Sequence, residues 1–141
     1  MKQELVHDWM TREVITIAPE TSLADAHELM KNKKIRRLPV VKHGRIVGIV
    51  TLGDVRGAEP STASSLSVWE MNELLAKLTV AEVMTHDPVT IDQDASIGEA
   101  ASCMLANKFS GLPVTDQENR LVGIITESDI FRLVVSEWSK G

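Results

Sequence analysis

Apolar residues recur along this chain in two kinds of run, and the two kinds alternate in the same order twice. One kind has helical spacing: Leu23, Ala26, Leu29 and Met30 follow Ser22, and Ile97, Ala100, Met104 and Leu105 follow Ser96. Residues three and four apart share one face of a helix, so each run predicts an amphipathic helix with serine at its N-cap. Ser96-Ile97-Gly98-Glu99 also has the spacing of a capping box. The other kind is almost unbroken, Ile46 to Val50 and Leu121 to Ile125. Such Ile- and Val-rich runs predict strands covered on both faces. Each is preceded by Leu-Pro-Val and a turn, and shorter β-rich segments, Val14 to Ile17 and Val89 to Ile91, come before the helices. The order in each half is therefore β-α-β-β-α, with the last helix leaving from Thr51 or Thr126.

Self-comparison shows that the two halves are copies. At an offset of 74, Met10-Thr11 falls on Met84-Thr85, Ser22 on Ser96, Met30 on Met104, and Leu38-Pro39-Val40 on Leu112-Pro113-Val114. The offset then becomes 75: Arg45 meets Arg120, Val47-Gly48-Ile49 meets Val122-Gly123-Ile124, Thr51 meets Thr126 and Asp54 meets Asp129. The extra residue falls among turn-formers, Lys42-His43-Gly44 against Asp116-Gln117-Glu118-Asn119, where a hairpin tolerates a change of loop length. Each half, at about 45–50 residues, is too small to bury its own sheet well. Packing the two halves sheet to sheet would solve this. The first repeat is read as residues 1–57, a crossover as 58–79 and the second repeat as 80–141. Within the crossover, Glu59-Pro60-Ser61-Thr62-Ala63-Ser64-Ser65 reads as a loop. Ser67-Val68-Trp69-Glu70 then opens a helix with Val68, Met71, Leu75 and Leu78 on one side.

Composition narrows the function classes. A hydrophobic fraction of 43% and a charged fraction of 25% are those of an ordinary globular protein. No apolar run is long enough to span a bilayer, and none behind Met1-Lys2-Gln3-Glu4 resembles a signal peptide. With one cysteine, Cys103, read as a buried small hydrophobe, the expected compartment is a reducing cytoplasm. The net charge of −5 argues against nucleic acid as a partner, despite a local patch of Lys31, Lys33, Lys34, Arg36 and Arg37. His7, His27, His43 and His86 lack metal-ligand spacing, and no nucleophile–base pair or glycine-rich phosphate loop is found. Neither a metal site nor an enzyme is expected. Phe131, Val134, Val135 and Trp138 line one face of the last helix, which suits a core or, at Trp138, a dimer surface.

The chemistry that remains is Thr51-x-x-Asp54 and Thr126-x-x-Asp129, each at a helix start behind a buried strand. A hydroxyl and a carboxylate three residues apart share a helix face and can address one ligand. The same spacing also makes a helix cap that serves only the helix. Gly53 and Ser128 precede the aspartates, one offering open backbone and the other a hydroxyl.

The doubled pattern resembles the CBS (Bateman) family. The resemblance is carried by Arg37-Leu38-Pro39-Val40-Val41 and Gly48-Ile49-Val50-Thr51-Leu52-Gly53-Asp54, and by Val80-Ala81-Glu82-Val83-Met84-Thr85, Gly111-Leu112-Pro113-Val114 and Gly123-Ile124-Ile125-Thr126-Glu127-Ser128-Asp129. The crossover is similar to that of free-standing acetoin-utilization AcuB-like proteins. The resemblance implies an α/β (α+β) fold of two β-α-β-β-α repeats related by a pseudo-two-fold axis. It also implies pairing into homodimers, and adenosine ligands (AMP, ADP, ATP or S-adenosylmethionine) held as regulatory ligands in two clefts. In that scheme each Asp accepts from the ribose hydroxyls, while the Thr hydroxyl and helix-start N–H groups meet phosphate. One cleft would comprise Thr51, Gly53, Asp54, Thr85, Val89, Phe109 and Ser110, with Arg36 and Arg37. The other would comprise Thr126, Ser128, Asp129, Thr11, Ile15, Ile35 and Arg36. Ile15, Ile35, Val89 and Phe109 would sandwich a purine, although each also reads as core. Arg36-Arg37, replaced by Ser110-Gly111 in the second copy, read either as phosphate-neutralising arginines that make the two repeats differ or as a solvated basic turn. The expected function is a regulatory nucleotide sensor acting on a protein target that the sequence does not name. The alternative is a structural homodimerisation module with vestigial clefts.

Overall fold

The computed structural model of the chain describes residues 4–59 and 67–140. Their elements, in chain order, are α1 (Val6–Trp9), α2 (Leu23–Lys33), β1 (Arg37–Lys42), β2 (Arg45–Thr51), α3 (Leu52–Ala58), α4 (Val68–Lys77), α5 (Val80–Val83), β3 (Thr85–His86), β4 (Ile91–Asp92), α6 (Ile97–Asn107), β5 (Gly111–Thr115), β6 (Leu121–Thr126) and α7 (Glu127–Lys140). Of the expected loop Glu59 to Ser65, only Glu59 is described; it follows the end of α3, and the rest lies outside the described residues. The fold is α+β, with two three-stranded sheets. Its compact units are residues 15–88, which are contiguous, and a two-ended unit that joins the segment up to Val14 to everything from Val89 onward.

In the contiguous unit the sheet order is β1-β2-β3, all antiparallel, with Leu38 opposite Val50 and Thr85 opposite Ile49. The β1–β2 hairpin turns through His43 and Gly44 at φ 53° and 79°. Positive φ at both central residues matches the twist of the flanking strands, which is why glycine is useful there. Ser22 caps α2 by accepting from the Asp25 N–H at 3.1 Å, and the helix ends at Lys34 in the left-handed conformation. Leu23, Ala26 and Met30 then bury against Leu38, Val40, Val50, Val55, Leu75 and Val80. α4 meets this core through Leu75, with Met71 and Leu78 packed at its edge. Val68, expected on the same side, is 80% exposed, because the helix reaches the core only after its first turn.

The two-ended unit repeats the plan with β4-β5-β6, where β4 runs parallel to β5 and β5 antiparallel to β6. Val6, Met10, Ile97, Ala100, Met104, Leu112, Val114 and Ile125 form its core. Leu105 was expected on the buried side of α6 but is 81% exposed, one position past Met104. Cys103 is only half-buried, at the edge of this core. Phe131, Val135 and Trp138 do not enter the core either, being 64%, 64% and 82% exposed; Ile130 and Leu133 pack there instead. The expected strand over Val14 to Ile17 reduces to one parallel bridge, Ile17 to Val40, and the Val89 to Ile91 segment shifts to Ile91–Asp92. Each of these segments pairs only briefly before the chain turns toward the next helix.

Each sheet is completed by chain that precedes the other repeat. Thr11 exchanges backbone hydrogen bonds with Ile124 at 2.8 and 2.9 Å, while Val6 N–H donates to Ala95 at 2.8 Å. In the contiguous unit, α5 and β3 do the same: Val80 N–H donates to Thr21 at 2.8 Å, and Thr85 pairs with Ile49. Gly48 and Gly123 mark the crossing points. A Cβ on Gly123 would stand 2.6 Å from Met10 Sδ and 2.9 Å from the Thr11 carbonyl oxygen. On Gly48 it would stand 2.4 Å from Met84 Sδ and 2.9 Å from the Thr85 oxygen.

Ser96 Oγ accepts from the Glu99 N–H at 3.1 Å, so Ser96→Ala is expected to cost about 1 kcal/mol in urea denaturation. A change under about 0.3 kcal/mol would show that this cap contributes nothing.

Candidate functional site

The two Thr-x-x-Asp segments sit where β2 runs into α3 and where β6 runs into α7. Val50 and Ile125, both fully buried, anchor the strands just before them. Thr51 is extended at φ −117° and ψ 163°, so its side chain turns back over the first helical turn. Its Oγ1 accepts from the Asp54 N–H at 3.1 Å, and Asp54 Oδ2 accepts from the Thr51 N–H at 2.9 Å. This is a reciprocal cap. The second site has the same pair, with Thr126 N–H donating to Asp129 Oδ2 at 2.8 Å and Asp129 N–H donating to Thr126 Oγ1 at 3.4 Å. Both aspartates are thus oriented by their own helix starts, as the capping alternative requires.

Helix-start amides are less open than the sequence implies. Leu52 N–H donates to the Arg36 carbonyl at 2.8 Å, and Glu127 N–H donates to the Ser110 carbonyl at 3.0 Å. With Asp54 and Asp129 N–H also engaged, the first-turn donors left over are those of Gly53 and Ser128, both exposed residues. Arg36 and Ser110 thus contribute through backbone to the helix start of their own unit, while the Arg36 side chain is exposed.

The aspartates differ in burial and company. Asp129 is 1% exposed. Its Oδ2 also accepts from Thr126 Oγ1 at 3.1 Å, and its Oδ1 accepts from Thr11 Oγ1 at 3.4 Å and from Arg132 Nη2. A carboxylate removed from water needs such donors, since desolvation otherwise costs several kcal/mol. Asp54 is only half-buried, and among the described residues its Oδ1 accepts no protein hydrogen bond. Thr85, the counterpart of Thr11, is exposed and sends no hydroxyl bond to Asp54.

Thr11 belongs to the unit that holds Thr126, Ser128 and Asp129, and Thr85 to the unit that holds Thr51, Gly53, Asp54, Arg36 and Arg37. Val89, Phe109 and Ser110 belong to the two-ended unit, Ile15 and Ile35 to the contiguous one. Val89 and Phe109 are 43% and 38% exposed, large apolar side chains that their own core does not cover. Ile15 and Ile35 instead pack at the edge of the contiguous unit's core, as the core reading of those two anticipates.

Arg132 is a partner of Asp129 that the sequence alone did not single out. The signal was present: an acid and a base three apart on a helix face each other. Beside it, Trp9, Ser128, Phe131, Arg132, Val135 and Ser136 line an open, mostly apolar groove of about 590 Å³ along α7. Among the described residues, no cluster of His, Cys, Asp and Glu suits a metal ion, and no helix is long and apolar enough to cross a membrane.

The model of the CBS domain family matches residues 6–61 and 80–136. The AcuB acetoin utilization protein from Vibrio cholerae superposes with a TM-score of 0.80 at 30% identity, over 98% of this chain and 95% of that one. CBSX2 from Arabidopsis thaliana, solved in complex with AMP, superposes with a TM-score of 0.79 at 29% identity, over 94% of this chain and 97% of its own. The CBS domain pair of protein MJ0100, solved with 5′-methylthioadenosine and S-adenosyl-L-methionine, gives a TM-score of 0.76 at 30% identity over 96% and 99%. The chain spans 47% of one curated relative and 23% of another, each matched over about nine tenths of this chain.

Proposed function

Because this chain belongs to the CBS domain family, we propose that it is a regulatory module that binds an adenine nucleotide, AMP, ADP or ATP, or S-adenosylmethionine, and carries out no catalysis of its own. The observation that carries this reading is the pair of carboxylates held at equivalent helix starts, with one oxygen of Asp54, among the described residues, left without a protein hydrogen bond. A carboxylate is acceptor-only, which suits the vicinal hydroxyls of a ribose. The AMP and S-adenosyl-L-methionine complexes of two similar pairs support the ligand class. In this reading Thr51, Gly53 and Asp54, and Thr126, Ser128 and Asp129, take ribose and phosphate. Binding acts on a protein partner by favouring one arrangement of the module over another.

Calorimetry with AMP, ADP, ATP and S-adenosylmethionine tests the reading directly. At least one is expected to bind with a Kd in or below the range of about 1 mM to 1 μM, and heat from none of the four would refute it.

A second reading keeps the fold and drops the ligand. It is favoured by the exposed apolar face of α7, with Phe131, Val135 and Trp138, which suits self-association. As a purely structural homodimerisation module, the chain would sediment as a dimer and show no thermal shift with any of the four compounds. In the nucleotide reading the dimer and the thermal shift occur together.

A further inference from the structure

Asp54 and Asp129 hold matching places in the repeat, yet one carboxylate has an oxygen to spare and the other does not. The difference comes mainly from one side chain. Three residues beyond Asp129 stands Arg132, whose guanidinium donates to Asp129 Oδ1; three residues beyond Asp54 stands Gly57, with no side chain to reach back. Thr11 adds a weaker bond to the same oxygen at 3.4 Å.

We propose that Arg132 is a latch on the Asp129 carboxylate, occupying the oxygen that a ribose hydroxyl would take, so that nucleotide enters this site only by displacing it and the Asp54 site fills first. This deepens the nucleotide reading above and rests on it. The physical basis is the contrast in exposure across the pair: the carboxylate side chain is 1% exposed, the arginine side chain 59%. A buried acceptor cannot turn away from its partner, whereas an exposed guanidinium can swing into water with its charge still hydrated. Ribose hydroxyls are neutral donors, and exchanging a charged donor for neutral ones weakens the bond to a carboxylate. The penalty on the affinity of the Asp129 site is therefore about tenfold relative to an unlatched one.

The test is calorimetry with AMP on the full chain. In an Asp54→Ala background, which leaves only the Asp129 site, Arg132→Ala and Arg132→Gln are each expected to tighten AMP binding about tenfold. Both should lower the unfolding midpoint of the ligand-free chain, since they strip a donor from a buried carboxylate. A residue that merely braced the fold would lower both stability and affinity, so the opposite movement of the two is the signature of a latch. The converse transplant, Gly57→Arg with Asp129→Ala, should weaken the Asp54 site by a similar factor. A Cβ at Gly57 meets nothing within 4 Å, so the new side chain has room. If neither Arg132 variant tightens binding, the latch is wrong; if the Asp129→Ala chain still binds AMP, the nucleotide reading survives it. If neither the parent chain nor any variant binds AMP, ADP, ATP or S-adenosylmethionine, both are wrong together.

Discussion

In the Asp54→Ala, Asp129→Ala double variant, AMP is expected to bind at least about a hundredfold more weakly than to the parent chain. Each aspartate is assigned two ribose hydroxyls, and a hydrogen bond to a charged acceptor contributes about 1.5–3 kcal/mol, so losing both bonds at a site exceeds a hundredfold. The single variants should be unequal. Asp54→Ala removes the site with the open oxygen and should abolish the tighter phase of an AMP titration. Asp129→Ala should remove only the weaker phase. Stability should move the other way. Asp54→Ala gives up a cap and costs about 1 kcal/mol, whereas Asp129→Ala disrupts a buried network that includes Thr11, Thr126 and Arg132 and costs more. Circular dichroism on the same samples separates the two effects. A double variant that is folded and binds AMP like the parent would leave the aspartates as helix caps alone.

Gly123→Val is expected to destabilise the chain by about 3 kcal/mol or more, read from the midpoint and slope of urea unfolding. The first new carbon would already stand 2.9 Å from the Thr11 carbonyl oxygen. That oxygen accepts from Ile124 N–H at 2.9 Å, so it can retreat only by breaking the bridge that ties residues 10–11 to β6. Met10 Sδ, at 2.6 Å, is flexible and could yield alone; the backbone oxygen cannot. Because Thr11 also reaches Asp129, the variant should perturb AMP binding at the Asp129 site more than at the Asp54 site. Gly98→Ala is the control. Its added carbon meets nothing closer than Ser96 Oγ at 3.7 Å, and on a helix it should be neutral or stabilising by up to about 1 kcal/mol. Should Gly123→Val cost no more than 1 kcal/mol, the crossing is looser than the distances say.

Most of the architecture was legible because it rests on pattern. Ser22 and Ser96 marked helix starts, the runs through Val50 and Ile125 marked strands, although buried positions alternate along them with half-buried ones instead of both faces being covered, and the one-residue gap located a hairpin. What was not legible depends on partners distant in sequence. Nothing about Met10-Thr11 announces that it will lie along β6, over a hundred residues later, and the residue that admits it, Gly123, looks like any strand glycine. The stripe of Phe131, Val135 and Trp138 was equally ambiguous, since helical spacing is the same whether a face meets a core or water. The site was half legible. Thr-x-x-Asp pointed to both aspartates and to their capping role, but the motif ends at the aspartate. Arg132 joins the candidate site only because its exposed chain folds back on a carboxylate that is nearly fully buried.

The exchange of leading segments also bears on synthesis. During translation, residues 15–88 are complete, with every strand of their own sheet, before α6 has been made. Leu5 to Thr11 is made before residues 15–88 yet has no docking surface until β6 leaves the ribosome, so Val6 and Met10 stay uncovered while the residues in between are made. The contiguous unit is thus set to fold while the chain is still growing, and the other waits for β6, which makes the waiting Leu5 to Thr11 stretch the natural point for chaperone capture.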